Sequence, residues 1–200
     1  MAANKSISQK RIDLRARLFP DVKLVDLWNR KNRAGFTTIP RGLPLVMVLM
    51  DKLSKGKPVS STYFEIWCRM FDESFLTLKP REMSVHAGFS GQRAEKTWSE
   101  RIKILKNLGF IDTKPGPEGE FSYAVVFNPY LVLKKKFDQK HSVLDEKDKN
   151  TLIQRMSEIG ADDWENENPK EWDADATPEA PPAAPPLPRP KLAGGGPMRP

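Results

Sequence analysis

Residues 75–127 read FLTLKPREMSVHAGFSGQRAEKTWSERIKILKNLGFIDTKPGPEGEFSYAVVF. Phe75, Leu76 and Leu78 with Thr77 form a brief apolar run, the mark of a short strand. Pro80 suits the first position of a following helix, where a backbone N–H would be unpaired in any case. Gly88 supplies an exit with positive φ. Phe89-Ser90-Gly91 makes the turn, and Ser90 is expected to cap the next helix by accepting a backbone N–H. From Gln92 to Leu108 there is neither proline nor glycine. Ala94, Trp98, Ile102 and Leu105 fall at helical spacing and build one buried stripe. Leu108 extends it, Gly109 ends it, and Phe110 folds back on the last turn.

The opposite face of this long helix carries Gln92, Arg93, Lys96, Glu100, Lys103 and Asn107. Such side chains suit a nucleic-acid groove, since Arg and Lys pair with phosphate or guanine and Gln or Asn with adenine. Glu100 works against phosphate unless it meets a cytosine amino group or pairs with Lys96 four residues away, a contact worth ~0.3 kcal/mol. A charged helix face is also what any solvated helix shows. Phe110 to Thr113 reads as a strand, Lys114 to Gly119 as a loop, and Phe121, Tyr123, Val125 and Phe127 alternate with Ser122, Ala124 and Val126 as a second strand. The loop sets Lys114 against Glu118 and Glu120, which makes it a poor phosphate clamp.

In this order of elements, residues 43–127 resemble a winged helix-turn-helix domain of the kind found in bacterial transcriptional regulators and plasmid replication initiators. Leu108-Gly109-Phe110-Ile111 is the most typical piece. The resemblance implies a mainly α fold with a small β-hairpin wing, and double-stranded DNA as partner. It also implies a contact set of Ser90, Gln92, Arg93, Lys96 and Lys103, with Arg81 and Lys114 beside them. Winged helices also serve as protein–protein modules, and that reading stays open beside the first.

Charge is unevenly spread along the 200 residues, whose formal net charge is +7. Residues 1–141 hold 26 basic and 14 acidic residues, a balance of +12; residues 142–200 hold 7 and 12, a balance of −5. A basic folded part with an acidic tail suits a nucleic-acid binder. Much of the excess lies in residues 1–35, where Lys5, Lys10, Arg11, Arg15, Arg17, Lys23, Arg30, Lys31 and Arg33 oppose only Asp13, Asp21 and Asp26. This basic extension reads either as an arm that tracks phosphates or as a segment whose Leu and Trp residues pack on a core or a second subunit. Ile12, Leu14, Leu18 and Phe19 outline a short helix that Pro20 ends.

Within 36–140, Leu43 to Leu53 is expected to be a buried helix with Pro44 in its first turn, followed by a loop from Ser54 to Pro58. Thr62-Tyr63-Phe64-Glu65 matches a capping box, and Phe64, Trp67, Cys68 and Phe71 make an aromatic face expected to enter the core. Lys134-Lys135-Lys136 with Lys140 adds a basic cluster at the exit of the last strand. In 141–160, Ser142 to Asp145 can cap a helix running to Ile159 and stopped by Gly160. Its Leu152, Ile153, Met156 and Ile159 stripe serves either a partner, including a second copy in a homodimer, or its own domain. Residues 161–200 are read as a disordered tail, acidic around Trp164 and Trp172 and then Pro-rich from Pro181 to Pro190, where a protein partner can dock.

Enzyme chemistry finds little support. The only histidines are His86 and His141 and the only cysteine is Cys68. No zinc-ligand spacing, Gly-rich phosphate loop or paired nucleophile and base is present, so neither cofactor nor metal is expected. A single cysteine, without a signal peptide or a membrane-length apolar run, points to the cytoplasm. Two functional classes remain: a DNA-binding transcriptional regulator or replicon replication and maintenance factor, and a winged-helix interaction module.

Overall fold

The computed structural model describes residues 6–140 and 142–165. Among them are seven α-helices and three strands, a mainly helical chain with one small antiparallel sheet. Trp172 and the run Pro181–Pro190 lie outside the described residues.

The chain divides into two compact units between Phe36 and Thr37. The first holds helix α1 (Ile7–Leu18), capped by the Ser6 hydroxyl accepting from the Gln9 N–H at 3.2 Å, and one 3-10 turn at Leu24–Asp26. No residue of α1 is buried. Trp28 and Phe36 meet edge to face at 6.1 Å.

In the second unit, α2 (Leu43–Leu53) opens with Pro44 in its first turn and buries Leu43, Val46, Leu49 and Met50. The loop after it leads to α3 (Ser60–Arg69), which corrects two expectations. The Thr62–Glu65 capping box does not form: α3 begins at Ser60, and Thr62 is buried inside it. The cap comes instead from across the loop, where Asp51 of α2 accepts from the Val59 and Ser60 N–H groups at 2.7 and 2.9 Å and from the Ser60 hydroxyl at 2.6 Å. The aromatic face is also turned outward. Tyr63 and Ile66 fill the core, while Phe64, Cys68 and Phe71 are exposed and Trp67 is half-buried. Tyr63 wins the inner position because its ring meets buried Phe110 edge to face at 5.8 Å.

Strand β1 (Phe75–Thr77) precedes α4 (Pro80–His86) and α5 (Ala94–Leu108). Strands β2 (Ile111–Gly116) and β3 (Gly119–Val126) follow, with the sheet order β1-β3-β2. The loop expected over Lys114–Gly119 is shorter, because β2 runs through Lys114-Pro115-Gly116 and leaves Pro117-Glu118 as the turn. Pairing of Leu76 with Ala124 and of Ile111 with Val126 puts Ser122, Ala124 and Val126 on the buried side of the sheet. Val125 and Phe127 are exposed, and Tyr123 stacks on Phe75 at 6.0 Å on the outer face.

Gly109 closes α5 at φ +86°, where the Phe110 N–H returns to the Leu105 carbonyl and the Gly109 N–H to that of Lys106. Phe110, fully buried, is the apolar plug of this turn. The same paired bonds end α4 at Gly88-Phe89 and the last helix at Gly160-Ala161.

Two further helices complete the unit. The Lys134–Lys136 cluster lies on α6 (Pro129–Phe137), which buries Tyr130 and Leu133 and which no pattern in the sequence had announced. Helix α7 (Glu146–Ile159) is capped at the end of the expected Ser142–Asp145 stretch, by Asp145, reciprocated by Asp148. Of its stripe, Leu152 and Met156 enter the core while Ile153 stays exposed; Asp148 pairs with Lys52, and Arg155 donates to the Arg41 carbonyl at 3.3 Å. The core does not stop at Ala161, as composition had implied. Ala161 and Trp164 pack against it, Trp164 through the Phe137 ring at 6.0 Å.

Asp51→Ala is expected to lower stability by about 1–2 kcal/mol, since it strips the cap of α3. Urea unfolding would measure this, and Ser61→Ala, at an exposed position of the same helix that leaves the cap untouched, would not reproduce it.

Candidate nucleic-acid interface

Helices α4 and α5 pack together through a turn that Phe89, half-buried against the core, holds from within. Gly88 and Gly91 both have positive φ there, at +90° and +76°. Because the Ala94 N–H returns to the Gly91 carbonyl at 3.1 Å, a tight turn stands between Ser90 and the helix. Ser90 is therefore not the cap of α5. Arg93 occupies that position, without a capping side-chain hydrogen bond, and the helix starts two residues later than expected.

Trp98, Ile102 and Leu105 are fully buried, and Ala94 and Leu108 half-buried, as their spacing required. The polar stripe consequently faces out: Gln92, Arg93, Lys96, Glu100, Lys103 and Asn107 are all exposed. Ser90, Gln92, Arg93 and Lys96 gather at the N-terminal end of α5, where the helix dipole and unpaired N–H groups favour an anion. Arg81 is exposed in the first turn of α4, and Lys114 is exposed on β2. Among the described residues, Lys96 forms no ion pair with Glu100.

Lys103 is differently placed. Its ammonium lies 3.4 Å from the Glu120 carboxylate and 5.6 Å from the centre of the Phe121 ring, both on β3. Lys106, one helical turn on, pairs with Asp112 at 2.9 Å and donates to the Thr113 carbonyl at 3.1 Å. Two lysines thus brace the hairpin against α5. The Lys106 hydrogen bond, helped by the Thr113 N–H, holds the Asp112 carboxyl below the usual carboxylate range. The helical period of α5 gives no sign of Lys106, because its partners are on β2.

A second network fixes α4 to α3. Arg69 binds Glu65 through Nε, donates through Nη2 to Glu82 at 2.8 Å, and reaches His86 Nδ1 at 2.7 Å. The hydrogen bond from Arg69 is the chief cause that lowers the Glu82 pKa. Burial opposes the charge on Arg69, but its bonds to Glu65 and Glu82 outweigh that and raise its pKa. A carboxylate held low contributes stability above its unfolded pKa, about 4.3, and loses it as pH falls through the depressed value.

Among the described residues no group of three or more His, Cys, Asp or Glu side chains is arranged to hold a metal ion, and no helix is long and apolar enough to cross a membrane. No protein-family model matches the chain, and comparison with characterised proteins and with solved structures gives no significant match.

Glu82→Gln is expected to lower the melting temperature at neutral pH and to lose that effect in acid, where Glu82 is itself protonated. Thermal scans of both forms from pH 7 downward would show the two curves converging as the pH falls through the lowered Glu82 pKa. A constant gap would assign the effect to packing alone.

Proposed function

We propose that this chain is a duplex-DNA-binding protein of the winged helix-turn-helix type, a transcriptional regulator or a replication or maintenance factor of a replicon. The observation that carries the reading is the division of α5 into a buried apolar side and an exposed side headed by Gln92, Arg93 and Lys96. A helix held by one face and offering Arg, Lys and Gln on the other has the chemistry for a major groove. Gln92, Arg93 and Lys96 meet base edges and phosphates, and Ser90 and Arg81 add phosphate contacts from the turn and α4. Lys103 serves chiefly to set the hairpin, through Glu120. The basic residues 1–35 add electrostatic affinity that does not depend on sequence.

The competing module reading draws support from the carboxylates at the hairpin, Glu118 and Glu120, and from the exposed rings of Phe71 and Phe75. Anisotropy of labelled duplex DNA, titrated at several salt concentrations, separates the two. The unmodified protein is expected to bind with affinity that falls steeply as salt rises. Arg93→Ala with Lys96→Ala is expected to weaken binding by about ten- to a hundredfold and to lower the salt slope by about 1 for each phosphate left without its cation. No binding at low salt, or a salt-insensitive complex, would reject the DNA reading.

A further inference from the structure

The C-terminal end of α5 and the outer side of α6 enclose a groove of about 440 Å³, a volume within the range of binding pockets. Its floor is apolar: Leu108, Leu131 and Val132 are half-buried, and Phe127 is 46% exposed. Lys135 and Lys136 stand at its rim, with no acidic partner among the described residues. Asn107 also lines it. The groove therefore offers an apolar floor and two cations to one occupant.

We propose that this occupant is the chain's own segment Glu171–Asp175, with the Trp172 indole seated on the floor. The segment reads Glu171-Trp172-Asp173-Ala174-Asp175, one large apolar ring among three carboxylates. The ring has about 150–250 Å² to bury. Its N–H is a donor without acceptor capacity, which the open side of the groove leaves to water. The carboxylates match Lys135 and Lys136.

The course of the chain favours this segment over a foreign peptide. Trp164 packs on Phe137 of α6, and Lys134 Nζ donates to its carbonyl at 2.9 Å, so the described chain ends beside the helix that forms one groove wall. Trp172 follows Glu165 by seven residues, which span up to about 23–25 Å. Helix α6 is about 14 Å long and about 10–12 Å across, so the segment reaches around it. A tether this short sets an effective concentration of order mM, at which one buried ring and two ion pairs are enough for occupancy. The inference goes beyond the DNA-binding reading and stands without it, because the groove lies at the end of α5 away from Arg93 and Lys96.

The test uses the full ¹⁵N-labelled chain and the indole N–H resonances of its five tryptophans. Trp172→Phe identifies the resonance of interest by its loss. In the unmodified protein that resonance is expected to be displaced from its random-coil position at every protein concentration. Lys135→Glu with Lys136→Glu is expected to return it to random coil, while an unchanged Trp98 resonance shows the fold intact. Adding Glu171→Lys, Asp173→Lys and Asp175→Lys to that variant is expected to restore the displacement. A random-coil resonance in the unmodified chain would overturn the proposal. So would displacement that appears only as concentration rises, which would put the segment in a second copy's groove, or displacement indifferent to both charge changes.

Discussion

Helix α5 can bury only one side. Trp98, Ile102 and Leu105 give it a stripe too apolar to leave in water, each worth about 1.5–3 kcal/mol when buried. Its remaining positions are too polar to bury. That one-sidedness fixes how far the helix rotates about its axis, and much else follows from the rotation. Phe110 enters the core directly after the helix and meets Tyr63, which decides which side of α3 faces inward. Ile111 then starts β2 at the buried edge of the sheet, and its pairing with Val126 sets the register of the hairpin.

Polar contacts fasten neighbouring elements at points where the apolar core leaves their angle free. Asp51 ties the start of α3 to α2, Arg69 ties the end of α3 to α4, and Lys103 with Lys106 ties α5 to the hairpin. The Lys103 pair is more than half exposed on both sides, so it contributes little to stability. Its consequence is geometric, since it holds the hairpin beside the face that carries Arg93 and Lys96. Lys52 with Asp148 joins α7 to α2 in the same way, and Arg155 joins it to the Arg41 carbonyl in the turn before α2. A helix whose stripe the sequence left to either a partner or its own domain thus packs on its own domain through Leu152 and Met156.

Local signals in the chain were strong where they depended on neighbours in sequence. The glycine–apolar pairs Gly88-Phe89, Gly109-Phe110 and Gly160-Ala161 end three helices, because a positive φ and a returning N–H are properties of a few adjacent residues. Proline at the start of α2 and α4 is legible for the same reason. The signals failed where a distant group competed. Thr62 resembles a cap until Asp51 arrives from across a loop, and Ser90 resembles one until Gly91 turns the chain between it and α5. The aromatic spacing of Phe64 and Phe71 says nothing about which side of α3 will find Phe110.

The amino-acid sequence by itself determined the existence and order of α2 to α5, the two hairpin strands and α7. It also determined which side of α5 is polar, since helical period and turn chemistry are written within about ten consecutive residues. Only the tertiary structure decided that Lys103 and Lys106 brace the hairpin, that α6 forms, that Trp164 packs against the core, and that a groove opens between α5 and α6. Each of these is a meeting of residues far apart in the chain. Burial and pairing across such distances depend on where the core lies, and no local pattern encodes that.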